Sequence, residues 1–209
     1  IRSHGVPHSV YDELEARGIP YHDATCPFVQ KIQRIAAQAE KEGAVLLVAG
    51  DKTHPEVQGI AGHTAGEVFI FADLAELEAW PGPKNGENGI FVVAQTTFQV
   101  TKWLECTSFI KKGYTNAKIF DTICSATWAR QQEAEDLSQR CDLMVVIGGH
   151  HSSNTQKLVR VAEKHTRAVT VETASELKAE WFQGVNTVGV TAGASTPSSI
   201  IEEVLNKMS

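Results

Sequence analysis

The chain has 209 residues, enough for one large domain or two smaller ones with a real core. Its 42% apolar and 21% charged residues are ordinary for a globular protein. A net charge of −6 argues against a general nucleic-acid binder, no apolar run reaches the length of a membrane span, and no signal peptide is visible, so a cytoplasmic protein without nucleic-acid or membrane partners is expected. The first residue is Ile rather than Met, so an upstream segment is expected as well.

In chain order, "FVQKIQRIAAQAEKEG" reads as an amphipathic helix, followed by strand-like runs "AVLLVAG", "EVFIF" and "GIFVVAQ". A helix over "TKWLECTSFIKK" leads to a short strand "AKIF", and a second helical pattern, "TWARQQEAEDLSQR", to the strand "DLMVVIGG". "NTQKLVRVAEKH" is helical, and "AVTV" and "NTVGVTA" are strands. Alternating strands and helices predict parallel sheets with helices on their faces, and small polar residues gather after the strands, where such sheets bind ligands. Cys26, Cys106, Cys124 and Cys141 form no CxxC pair, so neither a zinc knuckle nor a disulfide framework is indicated. Cys106 and Cys141 read as packing residues, as do Trp103, Trp128 and Trp181.

"HDATCPFVQKI" and "FDTICSATWAR" both read Asp-x-x-Cys leading into a helix, and the two cysteines stand 98 residues apart (124 − 26 = 98). The same offset carries His54 to Ser152, Glu56 to Asn154 and Thr97 to Ser195. The chain therefore reads as two copies of one α/β unit, over residues 27–122 and 123–209, preceded by the remnant of a third over residues 1–26. His4 stands where a unit closes, which predicts an earlier unit upstream with a cysteine near its own start.

Helices are expected to start at Pro55, near Asn154 and at Pro197, each directly after a polar cluster. Helix N-termini present unpaired N–H groups and a positive dipole end, which suits an anion. Ser152, Asn154 and Ser195 taken singly are helix caps; with His4, His54 and Ser153 at equivalent points of two units they suit a phosphate or diphosphate. Cys26 and Cys124 stand at equivalent starts, so with a third thiolate from the upstream unit they would form a three-cysteine site. Without the repeat they would be two buried thiols.

"RSHGV", "DATCP", "HPEVQG", "QTT", "IC-x-AT", "SSN" and "GVTAGAS", in this order, resemble the hydroxymethylbutenyl diphosphate reductase (LytB) family over essentially the whole chain. The resemblance implies a pseudo-threefold arrangement of parallel-sheet α/β modules around a central iron–sulfur site, with the first module largely missing here. It implies reductive dehydroxylation of an allylic diphosphate in isoprenoid biosynthesis, and a ferredoxin or flavodoxin as electron donor. Cys26 and Cys124 would be two of three ligands of a [4Fe–4S] cluster, the third being absent from this chain, which is expected to hold the cluster poorly. His4, His54, Ser152, Ser153, Asn154 and Ser195 would bind the diphosphate. Glu56 would donate a proton to the leaving hydroxyl, and Thr96 would position substrate and relay that proton, supported by Gln95, Thr97 and Thr127. Two other functions stay open: a diphosphate-binding fragment without a cluster, and a three-module iron–sulfur enzyme of the quinolinate synthase kind, against which "HPEVQG" and "SSN" argue.

Overall fold

The computed structural model describes residues 1–83 and 89–208; residues 84–88 of the expected second module and Ser209 of the third lie outside the described residues. The chain divides into two compact units, Ile1–Cys124 and Ser125–Ser209. The first 26 residues, expected as the remnant of a separate module, belong to the first unit.

In the first unit, helices α1 (His8–Ala16) and α2 (Pro27–Lys41) precede β1 (Val45–Ala49), α3 (Pro55–Ala61), β2 (Val68–Phe71), α4 (Leu74–Glu78), β3 (Ile90–Ala94), α5 (Val100–Gly113) and β4 (Ala117–Ile119). The strands pair in parallel in the order β2-β1-β3-β4. Alternation along β1 sends Val45, Leu47 and Ala49 to one face, against Leu77, Trp103, Cys106 and Ile110. Leu46 and Val48 point the other way, toward Ile32, Ile35, Val57 and Ile60. Both faces are thus covered, so β1 and β3 are buried at every residue, as a parallel sheet demands.

The second unit repeats the plan with α6 (Ser125–Ser138), β5 (Leu143–Ile147), α7 (Ser153–Ala162), β6 (Arg167–Val171), two 3₁₀ turns, β7 (Val188–Ala192) and α8 (Ser198–Met208). Its parallel order is β6-β5-β7. Leu143, Val145 and Ile147 meet Val171 and Val204, and Val146 meets Ala134, Leu158 and Val161 on the opposite face.

The offset of 98 carries the bounds of β1 onto those of β5 and of β3 onto β7, and the first residues of α2 and α5 onto those of α6 and α8. The edge strands break step: Val48 pairs with Ile70 but Val146 with Thr170, so the second connection is two residues longer. All seven strands expected from the sequence are present; α1 and α4 were not expected. Among the described residues no helix is long and apolar enough to cross a membrane.

Candidate active site

In the first unit the candidate residues lie beyond the C-terminal ends of β1 and β3. The loop leaving β1 is set by Asp51, whose carboxylate accepts from Thr53 N and Oγ1 at 2.8 and 2.7 Å, while His54 N donates to Asp51 O at 3.0 Å. A Cβ on Gly50 would fall 2.6 Å from Val57 Cγ2 and 3.2 Å from Gln95 Cβ, so only glycine lets the strand end, the helix start and the neighbouring loop meet. His54 is the N-cap of α3, and its ring does the capping: Nδ1 accepts from Glu56 N at 3.2 Å. An accepting Nδ1 puts the proton of the neutral ring on Nε2.

Glu56 is 2% exposed, and its carboxylate accepts from Thr96 N at 2.6 Å and from Thr96 Oγ1 at 2.8 Å. Gln95 ties the same two loops together, its Oε1 accepting from Asp51 N at 3.3 Å and its Nε2 donating to Thr97 Oγ1 at 3.1 Å. The backbone of Cys124 comes alongside, Cys124 N donating to Thr96 O at 3.0 Å. Thr122 puts it there. The Thr122 hydroxyl accepts from Ala94 N at 2.8 Å and donates to Ala94 O at 2.7 Å, prolonging the β3–β4 pairing by a side chain after the strand has ended.

His4 joins from the N-terminal segment, its ring 5.3 Å from that of His54 in an edge-on arrangement. The segment is fastened by His8 N to Gly62 O at 3.0 Å and by Cys26 N to Ser3 O at 3.0 Å. Cys26, His4, His54, Glu56, Thr96 and Cys124 are thereby joined by one unbroken series of contacts within this unit. Cys26 is the N-cap of α2 without capping through its side chain, and Cys124 directly precedes α6. Both thiols are free and partly exposed, and a helix start favours a negatively charged group. Among the described residues, however, no cluster of three His, Cys, Asp or Glu side chains could hold a metal ion, so the two cysteines fit a cluster only as part of a ligand set.

In the second unit Ser152 is the N-cap of α7, its Oγ accepting from Thr155 N at 3.3 Å. The capping and anion-binding readings are therefore compatible, since capping uses one lone pair and leaves the hydroxyl hydrogen to donate. Asn154 takes the position of Glu56, is 8% exposed, and its Nδ2 has no hydrogen-bond partner among the described residues. The residue equivalent to Thr96, whose hydroxyl serves Glu56 in the first unit, is here Ala194, which has no hydroxyl. A buried amide donor without an acceptor is costly, and an anionic oxygen would satisfy it. Thr155 Oγ1 would lie 2.5 Å from a Cβ on Gly148 and 2.7 Å from one on Gly193, and Thr196 Oγ1 donates to Ile147 O at 3.0 Å. These contacts bring the loop carrying the exposed Ser195 to the loop carrying Ser152 and Ser153. Thr127, expected in support of Thr96, is buried in the first turn of α6 in the second unit.

Cys106 is buried, and burial pushes its thiol up to about 11, which suits packing. Thr122, Asp51 and Thr155 are the contributors that sequence reading missed. Only the position of Thr122, two residues before Cys124, could have flagged one of them.

The sequence matches the family described as LytB protein over residues 1–209. A protein of Nautilia profundicola named 4-hydroxy-3-methylbut-2-enyl diphosphate reductase is 37% identical over 209 residues, covering 100% of this chain and 74% of that protein. One of the same name from Trichlorobacter lovleyi is 45% identical over 211 residues, covering 100% of this chain and 73% of that protein. The solved structure of the E-1-hydroxy-2-methyl-but-2-enyl-4-diphosphate reductase from Plasmodium falciparum superposes with a TM-score of 0.91 at 26% identity. That match covers 98% of this chain but 64% of the structure's own length.

Proposed function

We propose that this chain, which belongs to the LytB protein family, carries the substrate-holding and proton-donating residues of a 4-hydroxy-3-methylbut-2-enyl diphosphate reductase, the name its relatives bear. The reaction replaces an allylic hydroxyl by hydrogen. The C–O bond breaks, two electrons and two protons are taken up, and water leaves with isopentenyl or dimethylallyl diphosphate as product. A ferredoxin or flavodoxin would supply the electrons. Cys26 and Cys124 would hold a [4Fe–4S] cluster together with a third thiolate from outside residues 1–209. When bound, that cluster supplies the electron path and a Lewis-acidic iron.

The chain's own residues do the rest. His4, His54, Ser152, Ser153, Asn154 and Ser195 are donors for the diphosphate oxygens, with His54 offering Nε2–H and Asn154 its buried amide. Glu56 holds the proton destined for the leaving hydroxyl. With that proton on Oε2 the 2.8 Å bond runs from Glu56 to Thr96 Oγ1, and Thr96 passes its own hydroxyl hydrogen to the departing oxygen. The second proton goes to carbon.

The observation that carries this reading is the buried Glu56 carboxylate held by both the N–H and the hydroxyl of Thr96. Its test is anaerobic turnover of the allylic alcohol diphosphate by reconstituted holoenzyme, wild type against Glu56→Gln. A loss of about 100-fold or more is expected with diphosphate affinity retained; turnover near the wild-type rate refutes the role.

A second reading, a diphosphate-binding polypeptide without a cluster, is favoured by the two-cysteine ligand set. Iron and acid-labile sulfide per chain after anaerobic reconstitution separate the two. About four of each supports the reductase, and little of either supports the binding polypeptide.

A further inference from the structure

Glu76 and Glu176 stand at matching places in the two units, each five residues beyond the last paired residue of its edge strand, Phe71 in one and Val171 in the other. Each makes the same pair of contacts. Glu76 Oε2 accepts from Ala72 N at 3.0 Å and lies 3.6 Å from Lys52 Nζ. Glu176 Oε2 accepts from Glu172 N at 3.2 Å and lies 2.8 Å from His150 Nε2. Lys52 and His150 are equivalent under the 98-residue repeat, and each stands two residues before the helix cap, His54 or Ser152.

The second unit carries the arrangement further. The backbone N–H of His150 donates to Glu172 Oε1, its ring meets Glu176, and its carbonyl accepts from Gln156 Nε2 at 2.9 Å. Ser152 N closes the turn onto Gly149 O at 2.9 Å. The backbone N–H, the carbonyl and Nε2 of His150 are therefore all held, although the residue is exposed. Exposed pairs of this kind contribute little to folding stability. A pair of carboxylates beside an anion-binding loop is, on charge alone, unfavourable for the ligand. Their recurrence in both units calls for another purpose.

We propose that Glu176 acting through His150, and Glu76 acting through Lys52, are positioning residues that fix the loops presenting Ser152–Asn154 and His54–Glu56. This rests on the reading of those loops as diphosphate-binding. The edge strand thus sets the geometry of the loop leaving the central strand.

The test uses the 209-residue chain with inorganic diphosphate as the probe, followed by calorimetry, together with hydrogen exchange at the Thr155 amide that Ser152 caps. Wild type is compared with Glu176→Ala, Glu176→Gln, Ser152→Ala and, as a remote acidic control, Glu203→Ala. Charge alone predicts that Glu176→Ala and Glu176→Gln both tighten diphosphate binding. Positioning predicts that Glu176→Ala weakens it about tenfold, while Glu176→Gln, which keeps the acceptor oxygen, stays within about threefold of wild type. Thr155 exchange is expected to quicken in Glu176→Ala with the thermal midpoint unchanged. Unchanged exchange and affinity in Glu176→Ala, beside a binding loss in Ser152→Ala, overturns the positioning role and leaves the diphosphate reading intact. Absence of diphosphate binding by wild type overturns the reading itself, and the ligand-directed role with it.

Discussion

Replacing Thr96 by valine keeps the shape of the side chain and removes one hydroxyl. That hydroxyl donates to Glu56, a carboxylate 2% exposed, at 2.8 Å. A hydrogen bond to a charged group contributes roughly 1.5–3 kcal/mol, and a buried carboxylate cannot turn to water for a substitute. Thr96 N still donates at 2.6 Å, so the carboxylate keeps that bond when the hydroxyl is lost. A loss of about 2 kcal/mol follows, or about 8 °C in thermal midpoint for a unit of this size. Glu56→Gln is expected to be far milder. Its Oε1 can accept from Thr96 N while its Nε2 donates to Thr96 Oγ1. The two changes should therefore couple, with a double-mutant interaction of at least about 1 kcal/mol. Urea unfolding followed by far-ultraviolet dichroism measures all four proteins, with a constant m value as the check on comparability. Should Thr96→Val cost less than about 0.5 kcal/mol, or the cycle close with no interaction, the Thr96–Glu56 bond does not hold the acid and the proton relay built on it fails.

The remaining expectations concern the supports of the site. Thr122→Val strips both the donor and the acceptor from the buried ends of Ala94, so it should cost about 2–4 kcal/mol and make Cys124 react faster with a thiol reagent; an unchanged Cys124 rate would contradict its tethering role. His54→Asn keeps a capping side chain and His54→Ala does not, so the alanine variant should unfold about 1 kcal/mol more easily, while both lose diphosphate affinity by calorimetry. Cys106 should resist alkylation in the native protein while Cys26 and Cys124 react. Because burial raises its folded-state value to about 11 from an ordinary 9.0, the stability that its neutral form contributes is complete below pH 9 and drains away as pH rises toward 11; alkaline melts of wild type and Cys106→Ala should converge over that window. The carboxyl of Glu176 is held below the usual carboxylate range by its bond to His150, so the Glu176 contacts should persist at neutral pH and fail only in acid. Thr155 exchange measured against pH reports this.

The central strands could be read from the sequence because burial on both faces leaves an unbroken apolar run such as "AVLLVAG". The spacing of Asp-x-x-Cys revealed the duplication because the offset is kept through β1, β3 and the starts of two helices. Helix α1 escaped notice because it buries none of its residues and so carries no strong apolar stripe. Helix α4 has five residues, too few to show a period. Within the site, the residue types were legible and their partners were not. His54 and Glu56 stand out beside a proline, but that Thr96 holds the acid depends on residues 40 apart in the chain. The Thr122 bridge was hidden for a different reason: a side chain there does what backbone ordinarily does, and no pattern of residues announces it.

The two helix starts show what copying a unit makes available. Gly50 and Gly148 give each copy the same close approach of strand to helix, and the third residue of each cap is buried. One copy places imidazole and carboxyl there, the other hydroxyl and amide. With the scaffold duplicated, one half can carry titratable groups at its helix start while its twin carries a hydroxyl and an amide there. The same close approach of strand to helix thus accommodates two chemistries, and it offers an engineer two interchangeable sockets on one frame.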